Sequence, residues 1–102
     1  MTEYFISRHP GAVDWARNLG ITAHHLRHLD PAIITSGDVV MGTLPIHLAA
    51  TVCAAGAQFL FLALDLPEDL RDGRELSADE LRRAHARLEE YVVKRVGNVD
   101  EG

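Results

Sequence analysis

From Val39 to Leu64 the chain carries no charged residue, leaving aside a proton on His47. A stretch so poor in charge has to be buried, either in a protein core or in a membrane. Pro45, His47, Thr51, Gly56 and Gln58 break it into short pieces, which argues against a transmembrane span. The pieces read as a strand at Asp38–Gly42, a buried helix at Ile46–Ala55 and a strand at Gln58–Leu64. Val39-Val40-Met41 and Phe59-Leu60-Phe61-Leu62 are continuous apolar runs without alternation. That is the pattern of parallel strands covered on both faces, so helices are required on both sides of the sheet.

The flanking segments supply them. Glu3–Ser7 reads as a short buried strand, by its aromatic and β-branched content. Gly11–Leu19 reads as a helix with Ala12, Val13, Ala16 and Leu19 on one face, stopped by Gly20. Ile21–Leu29 is extended but polar, hence an edge strand. Asp30-Pro31 and Ser36-Gly37-Asp38 bracket a short crossover at Ala32–Ile34. Near the end, Ser77 and Glu80 have the spacing of a capping box, and Leu81, Ala84, Leu88 and Tyr91 or Val92 continue at helical spacing. The expected fold is therefore α/β: a small Rossmann-like, three-layer domain on a mostly parallel four-stranded sheet. It spans residues 1–97, with a charged loop at 67–76 and a flexible acidic tail at 98–102.

Charge and cysteine content narrow the function. The net charge is −5, whereas proteins that hold double-stranded nucleic acid or a membrane by charge present a basic surface. Residues 1–64 hold four acids and three arginines, while 65–102 hold eleven acids and seven bases. The front is thus core plus site, and the back is mainly solvated surface. The single cysteine, Cys53, allows no internal disulfide and reads as a buried, inert thiol. His24, His25 and His28 lie in an extended segment without a supporting carboxylate, so no metal is expected. The N-terminus shows no basic start leading into an apolar run, and a cytoplasmic location is expected.

In an open parallel sheet, ligands bind beyond the carboxyl ends of the strands. Three strands end in comparable turns: Ser7-Arg8-His9-Pro10-Gly11, Gly42-Thr43-Leu44-Pro45 and Asp65-Leu66-Pro67. The first two lead into helices, whose N-termini favour anions. The crevice would gather Ser7, Arg8, His9, Thr43, His47 and Asp65. Pro10, Gly11, Gly42, Leu44 and Pro45 complete the expected ligand contacts. Trp15, most simply a core residue, could stack on a base. The Arg8 fork suits phosphate, His9 suits proton transfer near neutral pH, and Thr43 reads first as a helix cap. No dinucleotide or P-loop fingerprint is present. A phosphate-handling enzyme and a non-catalytic binding module both fit these residues.

Four blocks carry a family resemblance: Ser-Arg-His-Pro-Gly-Ala-Val-Asp-Trp-Ala at 7–16, His-Leu-Asp-Pro at 28–31, Gly-Asp-Val-Val-Met-Gly-Thr-Leu-Pro at 37–45, and Leu-Asp-Leu-Pro through Glu-Leu-Ser-Ala at 64–78. In this order they resemble the CRISPR-associated Csx-sixteen family. The resemblance implies a CARF-like domain that dimerises and acts in type III CRISPR immunity as a ring nuclease. Such enzymes degrade cyclic oligoadenylate, here most simply cyclic tetra-adenylate, without a metal or other cofactor. A ribose 2′-OH attacks its own 3′-phosphate, leaving linear products that end in a 2′,3′-cyclic phosphate. Arg8 would stabilise charge on the phosphorane and His9 would move or position the 2′-OH proton. Backbone N–H groups near Gly11 and Thr43 would hold neighbouring phosphates. The alternative is a sensor or sponge that binds the messenger without cutting it.

Overall fold

The computed structural model describes residues 1–65 and 76–99. The elements run β1 (Glu3–Ile6), α1 (Pro10–Asn18), β2 (His24–Leu26), a 3-10 turn (Pro31–Ile33), β3 (Val39–Gly42), α2 (Ile46–Ala54), β4 (Gln58–Ala63), α3 (Ala78–Arg83) and β5 (Arg87–Tyr91). They form a small α/β domain on a five-stranded mixed sheet of order β2-β1-β3-β4-β5. The first four strands are parallel, and β5 runs antiparallel to β4. Of the charged loop expected at 67–76, only Leu76 lies within the described residues. Leu66-Pro67 of the third strand-end turn lies outside them, and of the acidic tail only Asn98 and Val99 lie within.

The unbroken apolar runs behave as their pattern requires. All four residues of β3 are buried, and its side chains alternate between two cores. Val39 and Met41 join Phe5, Ala12, Trp15, Ala16 and Leu62 on the face covered by α1 and α3. Val40 joins Ile6, Ile34, Ala49, Val52 and Phe59 on the face covered by α2. Val40 and Val52 are wholly excluded from solvent, and burying each side chain is worth about 1.5–3 kcal/mol. The strand at residues 24–26 does lie at a sheet edge, as its polarity suggested.

Two expectations need correction. Helix α2 is not buried all round: Ala49 and Val52 are its buried residues, and Ile46 is 76% exposed. A helix lying on a sheet buries one stripe, and nothing among the described residues covers its outer side. The second correction adds a strand. The capping box forms as expected, with the Glu80 N–H donating to Ser77 Oγ at 3.2 Å and the Ser77 N–H donating to Glu80 Oε1 at 3.1 Å. The helix nevertheless stops at Arg83, and His85 takes a left-handed φ of 56°. The chain then pairs with β4, with Leu88 opposite Leu62 and Tyr91 opposite Phe59. An apolar β4 with one edge unpaired would leave its backbone donors and acceptors unsatisfied. Pairing with β5 satisfies them, and this outweighs the weak local preference for continuing the helix.

The end of the sheet away from the strand-end turns is tied by one buried side chain. Asp38 accepts the Thr2 N–H at 3.0 Å, the Thr35 N–H at 2.9 Å and the Thr35 hydroxyl at 3.1 Å. Its backbone carbonyl takes the Gln58 N–H at 2.8 Å. One residue thus joins the starts of β1, β3 and β4. The N–H donors of Thr35 and Thr2 hold its carboxyl below the usual carboxylate range, against the effect of burial. A pKa lower in the folded than in the unfolded state stabilises the fold above the unfolded value, near pH 4, and that contribution disappears as acid protonates the folded carboxylate. Asp38→Asn should therefore lower the thermal midpoint at neutral pH and flatten the fall in stability below about pH 4. Calorimetric or circular-dichroism melts across that range would check it; identical acid profiles would exclude Asp38 as the acid-sensitive tie.

Candidate functional site

In the order β2-β1-β3-β4-β5 the chain leaves β1 first to one side, for β2, and then crosses to the other, for β3. The reversal opens a crevice beyond the carboxyl ends of β1 and β3. There the two strands are level, with Ile6 opposite Gly42. Gly42 has φ of 124°, and a Cβ at this position would overlap the Ile6 carbonyl oxygen. The glycine lets the two strand ends approach and so places Ser7-Arg8-His9 beside Thr43-Leu44-Pro45.

A cleft of about 720 Å³ occupies this place. Ser7, Arg8, His9, Thr43, Leu44 and Pro45, six of the residues named from sequence, line it. Arg27 and His28, at the exit of β2, line it too. The opposite wall is hydrocarbon: Leu48, Leu62, Leu64, Leu76 and Leu81. Among the described residues no aspartate or glutamate reaches the cleft, although acids outnumber bases in the chain by fifteen to ten. The cleft is thus basic on one side and apolar on the other. It can take a ligand that joins a phosphate to a flat apolar group.

The cationic side is stitched together by backbone. The Ser7 N–H donates to Leu26 O at 3.0 Å, and His25 Nε2 lies 2.6 Å from Ser7 O. The Ser7 hydroxyl accepts the His9 N–H at 3.1 Å, fixing the turn into α1. His9 is the N-cap of α1 but makes no side-chain capping bond. Pro10 has no N–H, and those of Ala12 and Val13 both donate to His9 O. The mouth of α1 therefore has little beyond the Gly11 N–H to offer an anion, which leaves the arginine and histidine side chains lining the cleft as its principal hydrogen-bond donors. Gly11 itself lies so close to the Leu76 carbonyl that a side chain there would overlap it.

Of the expected contacts, Pro10, Gly11 and Gly42 adjoin the cleft in the chain without lining it, Trp15, His47 and Asp65 fall elsewhere, and one expected cap does not form. Trp15 is 4% exposed and packs in the core with Phe5 and Met41. Burying about 150–250 Å² of indole is worth about 4–6 kcal/mol, against about 1–3 kcal/mol for stacking on a base, so the core takes it. His47 is one residue past the first position of α2 and turns to the other side of that helix. It borders a separate groove with Cys53, Val92 and Arg95. Cys53 is half-buried rather than enclosed, its sulfur accepting the Val93 N–H at 3.4 Å. Asp65 faces the start of β5, where it pairs with Arg87 at 3.2 Å. Arg87 also holds Glu89 at 3.1 Å. Hydrogen bonds from Tyr91 and Arg87 depress the Glu89 carboxyl, while Glu89 raises the Tyr91 phenol. This network supports β5 and does not face the cleft. Thr43 does not cap α2, whose N-cap is Pro45.

Arg27 and His28 were legible in principle. They follow β2, which runs parallel to β1 and ends level with it, in a segment whose histidines raise the question of a metal site first. His24 instead meets the Tyr4 ring, with centroids 6.1 Å apart.

Residues 4–94 match a family model described as "Putative CRISPR-associated protein (Cas_VVA1548)". The chain belongs to this CRISPR-associated family. No curated protein and no solved structure matches it. No helix among the described residues is long and apolar enough to cross a membrane.

Gly42→Ala should destabilise the fold by roughly 2 kcal/mol or more, since it combines positive-φ strain with an overlap on Ile6. A denaturant midpoint unchanged from wild type would mean that the close approach of β1 and β3 is not required.

Proposed function

We propose, starting from membership of the Cas_VVA1548 CRISPR-associated family, that the protein is a ring nuclease. On this reading it degrades a cyclic oligoadenylate messenger, most simply cyclic tetra-adenylate, in type III CRISPR signalling. The sequence resemblance to the Csx-sixteen family points the same way. The observation that carries the reading is the cleft itself: basic along β1 and β2, leucine-lined opposite, and free of acids among its described residues. Phosphate and adenine are the two halves of a ligand that such a cleft accommodates. We further read the fold as Rossmann-like and CARF-like, because the order of its parallel strands reverses between β1 and β3.

The proposed reaction needs no group from outside the substrate except a proton carrier. The ribose 2′-oxygen attacks the adjacent phosphorus as the 5′-oxygen leaves. The 2′-OH proton is taken up, the 5′-oxygen is protonated, and the product is linear with a 2′,3′-cyclic phosphate. Arg8 stabilises the extra charge on the phosphorane. His9 takes the 2′-OH proton or returns one to the leaving oxygen. The Thr43 hydroxyl and the Gly11 N–H orient neighbouring phosphate oxygens, and the leucine wall receives a base. A two-fold dimer would present two such clefts to a ring of matching symmetry, and the exposed side of α2 around Ile46 is apolar surface that a second copy could cover. We place the activity in the cytoplasm, where the messenger would be made.

Incubation with cyclic tetra-adenylate in EDTA, followed by separation of products, tests the reading. Linear adenylates with 2′,3′-cyclic phosphate ends are expected; an intact ring retained on the protein would instead mean sequestration. Arg8→Ala should cost about 2–4 kcal/mol of transition-state stabilisation, roughly 30- to 1,000-fold in rate. His9→Ala should cost about 10²–10⁴-fold. Cleavage at the wild-type rate in either variant would remove that residue from the mechanism.

A further inference from the structure

The pairing of β1 with β2 sets a second arginine–histidine pair beside the first. Ile6 is level with Leu26, so Ser7-Arg8-His9 and Arg27-His28 leave neighbouring parallel strands at the same height. Such strands lie about 4.8 Å apart. The Ser7–Leu26 and Ser7–His25 contacts hold these two exits together. Arg17, Arg82 and Arg87 each have a carboxylate partner. Among the described residues Arg8 and Arg27 have none. Two uncompensated guanidinium groups on adjacent strand ends repel each other, and an anion with more than one charged site relieves that repulsion at both.

We propose that Arg27 and His28 form a second phosphate subsite next to Arg8 and His9, so that the cleft grips two successive phosphates of one oligonucleotide. This rests on the reading of the cleft as an oligoadenylate site. The scissile phosphate lies at Arg8 and His9, and its neighbour lies at Arg27 and His28. The neighbouring phosphate keeps its charge and geometry throughout the reaction. Contacts to it stabilise bound substrate and transition state alike, so their loss falls on KM rather than kcat. A mononucleotide, with one phosphate, fills only one of the two subsites.

The test compares wild type, Arg27→Ala, Arg27→Lys and the Arg27→Ala/His28→Ala double variant. Binding of linear tetra-adenylate is measured over a range of salt concentrations, and cleavage of cyclic tetra-adenylate is followed in parallel. Losing one phosphate contact on a single strand should reduce the slope of log K against log salt by about 0.7. Arg27→Ala should show that reduction, together with roughly tenfold or greater weakening, as expected for a lost hydrogen bond to a charged group. Arg27→Lys should restore the salt slope, because the charge returns. Adenosine monophosphate should lose less affinity than tetra-adenylate in the same variants. A folded Arg27→Ala protein with wild-type affinity, salt slope and KM overturns the subsite, even if the ring is cut. Tetra-adenylate binding that loses this slope in Arg27→Ala, with no cutting of the ring, upholds the subsite and removes the nuclease reading.

Discussion

The parallel pairing of β1 with β3, closed at its carboxyl end by Gly42 against the Ile6 carbonyl, is the constraint on which the rest of the domain depends. β1 is also paired with β2 on its other side. Its backbone therefore holds the cleft on both flanks, and among the described residues every basic side chain lining the cleft leaves β1 or β2. A side chain at position 42 would force the ends of β1 and β3 apart. The same pairing determines which side chains fall into which core, because alternate residues of β1 and β3 enter opposite layers.

Burial and charge divide the molecule by function. The buried polar residue, Asp38, lies at the end of the sheet away from the cleft and is fully hydrogen-bonded there. The arginines with carboxylate partners lie on the helices and on β5. Arg8 and Arg27, at the cleft, lack such partners among the described residues. Intramolecular pairing would neutralise those side chains and weaken their attraction for a phosphate. Among the described residues the acids of this chain of net charge −5 lie away from the cleft, and since interactions beyond about 8–10 Å are largely screened at physiological salt, the proposed phosphate site would feel mainly the residues that line it.

Much of this was legible in the sequence because the relevant signals are local. Val39-Val40-Met41 and Phe59–Leu62 have no polar face to leave in water, so a sheet covered on both sides followed directly. The polar 24–28 segment could only be tolerated at an edge. Ser77 and Glu80 define a helix start through atoms three residues apart. The misjudged residues are those whose neighbours are distant in the chain. Trp15 was a candidate for ligand stacking until the packing of α1 against the sheet and α3 enclosed it. His47 and Asp65 were near the right turns in sequence, but their side chains point away from the cleft. His28 reads in sequence with His24 and His25 as a histidine cluster and Arg27 as part of a polar edge strand, and only the register of β2 against β1 brings the two beside Arg8.

Hydrophobic patterning and turn chemistry in the sequence by themselves determined an α/β domain with three strand ends capable of meeting a ligand. The physical reason is that burial and capping depend on residues within a turn or two of each other. Tertiary structure alone decided that Arg87–Tyr91 is a fifth strand, because the unpaired edge of β4 needed hydrogen bonds that a longer helix could not supply. It also decided which residues share the cleft, because strand order and register bring together groups such as Arg8, Arg27 and Thr43 that no local pattern connects.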